Sequence, residues 1–297
     1  MKTVVNITSL SFSNQPDRRV WDAIEAVVGG DLIVLPETWA GPAAIDDFNS
    51  PRVKKLQELA KKHKCYIVSG MYRKTRQIKR INSAILIGRS GEIEGIYDKV
   101  YPFLEEFDLD PPVEIGKTPM VFDTDFGKLG IAICFDANIP DLWQEMAQSG
   151  AQIVCWPSAY SGGSSLQAHA INHHYYIVTA TLQSDCTVFD ITGREMLYNK
   201  ATEYDDFLIT SFQLNLNRGI FHRDFAGGLK ALLAECSNEI VQETALPKEG
   251  WFVLKSLNDT VDVRKVAKQY GLQELNEYKL RCIQQIDCMR KGAKANV

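Results

Sequence analysis

Metal-ligand spacings, disulfide frameworks and export signals are all missing from this sequence. No C-x-x-C occurs and the five histidines are not placed like zinc ligands, so nothing calls for a metal. Seven scattered cysteines, an odd number, with no basic-plus-apolar leader, point to reduced thiols in a cytoplasmic compartment. No apolar run approaches a membrane span. The net charge of -4 gives no basic footprint for nucleic acid. The glycine-rich stretch 161–165 is not followed by the Gly-Lys-Ser/Thr of a phosphate loop, and Ser164 or Ser165 is expected to cap the next helix instead. A serine hydrolase built on Ser158 finds neither a G-x-S-x-G nor a suitable histidine. No short repeat is present and no linker rich in Pro, Gly or Ser divides the chain. Residues 1–257 therefore read as one domain and 258–297 as a C-terminal helical extension.

What is present is an α/β alternation. Strands are predicted over 3–10, 31–35, 65–72, 82–88, 93–97, 121–125, 128–134, 151–156, 175–181, 187–191, 207–214 and 251–257. Helices are predicted over 17–28, 51–64, 140–149, 166–174, 229–241 and 272–289. The last carries Leu272, Leu275, Ile283, Ile286 and Met289 along one side, a stripe that fits either its own chain or a second subunit. The basic stretch 73–80 reads as a solvated connection, and His173 and His174 as helix-end residues.

Three apolar strands end abruptly in polar turns. Leu32-Ile33-Val34-Leu35 runs into Pro36-Glu37. A carboxylate at such a tip is partly desolvated, which raises its pKa and suits a general base. Lys99 closes the strand 93–97, with Glu105 and Glu106 soon after. A lysine held by a carboxylate keeps its charge in a water-poor site and can stabilise an anion there. Gly130-Ile131-Ala132-Ile133 leads into Cys134-Phe135-Asp136, a strand, a tight turn and a helix start near Pro140. A cysteine on such a turn has backbone N–H groups at hand for an oxyanion. Taken singly, each has an ordinary reading: a buried thiol, a solvated strand-end acid, a surface lysine. Together they form an acid, a cation and a nucleophile at the ends of three strands, where α/β sheets place their ligands.

Leu35-Pro36-Glu37, Tyr97-Asp98-Lys99-Val100-Tyr101-Pro102 and Gly130 to Asp136 resemble, in the same order, the three signature blocks of the nitrilase superfamily, the carbon–nitrogen hydrolases. Gly150-Ala151 and Trp156-Pro157-Ser158-Ala159 resemble the segments that family carries after its cysteine. The likeness covers roughly 3–215. It implies a four-layer α-β-β-α sandwich with two six-stranded sheets, no cofactor, and homo-oligomers built on a dimer. It implies a catalytic set of Glu37, Lys99 and Cys134, with a second glutamate at Glu106 or its competitor Glu105. The backbone N–H of Phe135 is then an oxyanion donor, and Asp136, Trp156 and Ser158 join it as oxyanion or substrate-binding positions, although Asp136 also reads as a structural acceptor within its turn. Phe135-Asp136 after the cysteine resembles amidases and carbamoyl-hydrolysing members, whereas nitrile-cleaving members have Trp-Glu. No arginine stands at Ala137, Asn138 or Ile139, so the expected substrate is a small amide without an acid group near the scissile bond. N-carbamoyl hydrolysis is the alternative within enzymes. A catalytically silent scaffold is the alternative of another class.

Overall fold

The structure is a computed structural model, and it describes residues 3–27, 29–77 and 79–292. In chain order the first part comprises β1 (Val4–Phe12), α1 (Asp17–Ala26), β2 (Leu32–Val34), β3 (Ile45–Asp46), α2 (Pro51–His63), β4 (Tyr66–Lys74), β5 (Arg80–Ile87), β6 (Ile93–Asp98), β7 (Val113–Glu114), β8 (Met120–Asp123), β9 (Lys128–Ile131), α3 (Pro140–Gln148), β10 (Ile153–Ser158), α4 (Ser164–His173), β11 (Tyr176–Thr181), β12 (Asp185–Phe189), β13 (Glu195–Lys200) and β14 (Phe207–Asn215). The remainder holds β15 (Arg218–His222), α5 (Gly228–Glu235), β16 (Ile240–Leu246), β17 (Trp251–Ser256), α6 (Val263–Gln269) and α7 (Leu275–Arg290).

Two sheets dominate. One runs β14-β1-β2-β4-β5-β6, with the short β3 and β7 attached to β4 and β5; the other runs β13-β12-β11-β10-β9-β8. Strands β1, β2 and β4 are parallel, as are β9, β10 and β11, and they are mostly buried because both faces are covered. On the outer face of the first sheet, Val20 and Ile24 of α1 and Val53, Leu56, Leu59 and Ala60 of α2 pack with Leu10, Ile33, Ile67 and Ile85. Helix α2 begins on Pro51, whose missing N–H costs nothing at a first helical position. Helices α3 and α4 cover the second sheet. The inner faces meet through Ser9 Oγ, which donates to Thr179 O at 2.7 Å, and Ser11 Oγ, which accepts from Thr181 N–H at 3.0 Å. This is the four-layer α-β-β-α arrangement expected from the sequence.

Some boundaries differ. The periodicity carries α1 on to Val28, which lies outside the described residues. Helix α4 starts after Gly163, at φ +71°, with no side-chain cap, so neither Ser164 nor Ser165 caps it. The basic stretch 73–80 is not a solvated loop throughout. Strand β4 reaches Lys74, β5 begins at Arg80, and Arg80 is 3 % exposed; Ile78 lies outside the described residues.

The chain separates into two compact units, Val5–Leu214 and 215–292 with residues 3 and 4. Strands β15, β17 and β16 form an antiparallel sheet of their own. Phe221, Leu232, Ile240, Phe252, Leu254, Val263, Ala267 and Leu272 fill the core of that second unit. The helix predicted over 229–241 stops at Glu235, because Ile240 and Val241 are drawn into register with Ser256 and Lys255. On α7, Leu275 is buried, whereas Ile283, Ile286 and Met289 are exposed; residues 293–297 of the expected extension lie outside the described residues. No helix among the described residues is long and apolar enough to cross a membrane.

Candidate active site

Glu37 stands where the apolar run of β2 gives out. The next residue, Thr38, has φ +38°, so the turn is tight. It is pressed against β4 at a glycine: a Cβ on Gly70 would lie 2.4 Å from Pro36 O and 2.7 Å from Glu37 Cα. Only glycine permits so close a backbone approach.

Lys99 follows β6 directly. Its N–H donates to Asn82 O and its carbonyl accepts from Gly116 N–H, both at 2.8 Å. Glu106 sits on a single 3-10 turn, Leu104–Asp108, and is 8 % exposed. Lys99 Nζ donates to Glu37 Oε1 at 2.8 Å and also to Glu106 Oε1. Phe103 N–H adds a second donor to Glu106 Oε1, at 2.9 Å. Asn82 of β5 bridges the two acids, Nδ2 donating to Glu37 Oε1 at 2.7 Å and to Glu106 Oε2 at 2.8 Å. Burial alone pulls the Lys99 ammonium toward neutrality, but the carboxylates of Glu37 and Glu106 outweigh it and hold its pKa above the ordinary value. The site therefore keeps a fixed cation.

Cys134 opens a second 3-10 turn, Cys134–Asn138, at φ +47°. A non-glycine residue there is uncommon and must be held by its surroundings. Asp136, with no exposed surface, does much of this: Oδ2 accepts from Ile133 N–H at 2.8 Å and Tyr97 Oη at 2.7 Å, and Oδ1 from Tyr101 N–H at 3.0 Å. Three rings hold the turn's carbonyls. Trp156 Nε1 donates to Cys134 O at 3.1 Å, Trp143 Nε1 to Asp136 O at 2.9 Å, and His169 Nε2 lies 2.8 Å from Ala137 O. Burial lowers the His169 pKa, so the ring is neutral, and its Nε2–H is the donor. The first N–H groups of such a turn have no acceptor within it, and Phe135 supplies one of them.

Cys134 is 8 % exposed. Burial first, and then the neighbouring Glu37 carboxylate, push its pKa up to about 12, against the pull of Lys99 and of the Ala159 N–H. The resting sulfur is thus protonated at neutral pH. Glu37 Oε1 is already occupied by Asn82 and Lys99, while its Oε2 is buried without a hydrogen-bond partner. The carboxylate also lies within hydrogen-bonding reach of the thiol, the pairing that a neutral nucleophile needs.

Glu37, Lys99 and Cys134 therefore share one place, and Glu106 is with them, whereas Glu105 is exposed. The other four positions divide. Phe135 is half-buried, its ring 5.8 Å from that of Phe103. Asp136, Trp156 and Ser158 have no exposed surface. Asp136 and Trp156 spend their polar atoms on the Cys134 turn, and Ser158 Oγ accepts from Tyr160 N–H at 3.0 Å. Sequence reading missed Asn82, Trp143 and His169. For Asn82 the available signal is a lone amide in an apolar strand; for the two rings there is none, because their partners are backbone carbonyls.

The family model for carbon-nitrogen hydrolases matches residues 9–194, more than half of the chain. This chain belongs to the carbon-nitrogen hydrolase family. The matched segment contains Glu37, Asn82, Lys99, Glu106 and Cys134. Nit3 of Saccharomyces cerevisiae, a member of branch 10 of the nitrilase superfamily, shares the fold with a TM-score of 0.62 at 20 % identity, covering 72 % of this chain and 90 % of that one. The chloroplastic omega-amidase of Arabidopsis thaliana is 26 % identical over 215 residues, 61 % of this carbon-nitrogen hydrolase and 57 % of the relative. Beta-ureidopropionase of the same plant is 30 % identical over 176 residues, 52 % and 43 % of the two chains. The chain spans about half the length of these curated relatives.

Proposed function

We propose that this carbon-nitrogen hydrolase cleaves an amide bond of a small molecule through a cysteine thioester. The observation that carries the reading is the Glu37 carboxylate, held through one oxygen by Lys99 and Asn82 and within hydrogen-bonding reach of the protonated thiol. Glu37 takes the proton from Cys134 as the sulfur attacks the amide carbon. Lys99 and the Phe135 N–H hold the resulting oxyanion. The C–N bond breaks as Glu37 returns the proton to the departing nitrogen, leaving a thioester on Cys134. Glu37 then deprotonates a water that attacks the thioester carbon. The C–S bond breaks, the acid departs and the sulfur recovers its proton. Glu106 keeps the ammonium in place.

The substrate reading is a neutral or amine-bearing amide. Ala137, Asn138 and Ile139 offer no cation, and Phe103 next to Phe135 presents an apolar wall that is 46 % exposed. Likeness to beta-ureidopropionase favours a second reading, N-carbamoyl hydrolysis. Turnover of a panel of amides, carbamoyl-amines and nitriles tests both. Acid and ammonia or amine from an amide are expected; carbon dioxide with ammonia selects the second reading, and fastest turnover of a nitrile rejects both. A silent scaffold predicts no turnover and no unusual labelling of Cys134 by iodoacetamide. A homo-oligomer built on a dimer and a cytoplasmic location complete the proposal, the latter supported by seven cysteines that are all free thiols.

A further inference from the structure

Tyr72 of β4 lies directly across the antiparallel ladder from Asn82. Paired residues project from the same face of a sheet. Met71 and Ile85 belong to the helix-covered core, so by alternation Tyr72 and Asn82 occupy the opposite face, the one that carries the two carboxylates. The Tyr72 ring is fixed from behind. The Arg80 guanidinium lies over it, 5.1 Å from the centroid. Arg80 is itself pinned: Nε donates to Pro111 O at 2.8 Å, Nη1 to Pro42 O at 2.5 Å, and Nη2 to Asp110 O. Those carbonyls belong to the loops after Glu37 and after Glu106, so the ring and the two acids are tied to one frame. Glu106 and Glu37 both act electrostatically on the Tyr72 hydroxyl, and burial more strongly still, keeping it protonated.

This hydroxyl makes no hydrogen bond to another described residue, although Tyr72 is only 7 % exposed. Asn82 Oδ1 and Glu37 Oε2 are both buried acceptors without partners. The site offers donors in Lys99 and the turn N–H groups, and open acceptors in Asn82 Oδ1 and Glu37 Oε2. An amide presents the same polarity: its oxygen wants donors and its nitrogen brings N–H bonds. Buried acceptors left unpaired are costly, and a group with two N–H bonds relieves more of them than a group with one.

Resting on the proposed amide hydrolysis, we propose that Tyr72 and Asn82 form a leaving-group subsite that recognises the two N–H bonds of a primary carboxamide, the Tyr72 hydroxyl accepting one of them. The class of substrate is thereby a primary amide and the released base is ammonia. Tyr72→Phe removes only the oxygen and keeps the ring beneath Arg80, so folding is preserved. The experiment compares wild type and Tyr72→Phe on a primary amide and on the N-methyl amide of the same acid. Wild type is expected to prefer the primary amide. In the variant, kcat/KM on the primary amide is expected to fall about fivefold, the worth of one neutral hydrogen bond, with little change on the N-methyl amide. The iodoacetamide labelling rate of Cys134 is expected to stay the same, since the nucleophile is untouched. Equal losses on both amides, or no loss on either, overturn the subsite while leaving amide hydrolysis standing. A wild-type protein that cleaves neither amide removes the hydrolytic reading, and the subsite with it.

Discussion

Cys134 keeps its proton at neutral pH, so its reactivity must be borrowed from Glu37. Glu37→Gln preserves the shape and both fixed hydrogen bonds but cannot take a proton. Turnover is expected to fall by about 10²–10⁴-fold, the usual scale for losing a general base, with iodoacetamide labelling of Cys134 slowed in parallel; unchanged labelling would show that the thiol is activated by something else. Asp136 carries a pH effect of its own. Burial raises its pKa from 3.8 to about 6, with the donors Tyr97, Ile133 and Tyr101 only partly opposing. The folded state thus binds this proton more tightly than the unfolded chain, and the associated stability is full below about pH 4 and lost as the pH rises through about 6. Wild type is expected to lose stability relative to Asp136→Asn between those limits, measured by urea midpoints; a constant difference across the range would refute the assignment. Glu37, Lys99 and Cys134 were legible in the sequence because each ends an apolar strand, where a lone polar side chain is conspicuous. Asn82 and Tyr72 were not, since a polar or aromatic residue inside a strand looks the same whether it faces a site or a neighbour.

At the scale of elements, the site depends on how closely β4 passes the glutamate turn. Gly70→Ala puts a methyl group 2.4 Å from Pro36 O. Backbone cannot yield as a flexible side chain does, so a loss of about 1–3 kcal/mol is expected, together with a fall in kcat as Glu37 shifts. Wild-type activity in a Gly70→Ala protein of wild-type stability would mean that the turn has slack. Elements covered on both faces were read well from the sequence: β2, β10 and β11 are apolar runs with clear ends. The stretch 229–241 was misread because Leu229, Leu232, Leu233 and Ile240 keep a helical spacing, while the pairing of Ile240 with Ser256 depends on a partner sixteen residues away that local periodicity does not register.

At the scale of the molecule, the first unit divides its chemistry between two sheets. Glu37, Asn82 and Lys99 come from the sheet of β2, β5 and β6, and Cys134 from the end of β9 in the other. The packing of the inner faces, with the hydrogen bonds from Tyr97 and Tyr101 to Asp136, brings sulfur and carboxylate together. In a urea titration, turnover and the fluorescence of the buried Trp143 and Trp156 are expected to disappear in one shared transition; turnover persisting past the indole change would break the link. The same split bears on the chain as it is being made. The acid and the ammonium leave the ribosome well before the sulfur does, and even then the sulfur has no base beside it until the second sheet docks. A nascent or half-formed molecule is therefore expected to be chemically mute toward the metabolites around it until the final closing of the sandwich.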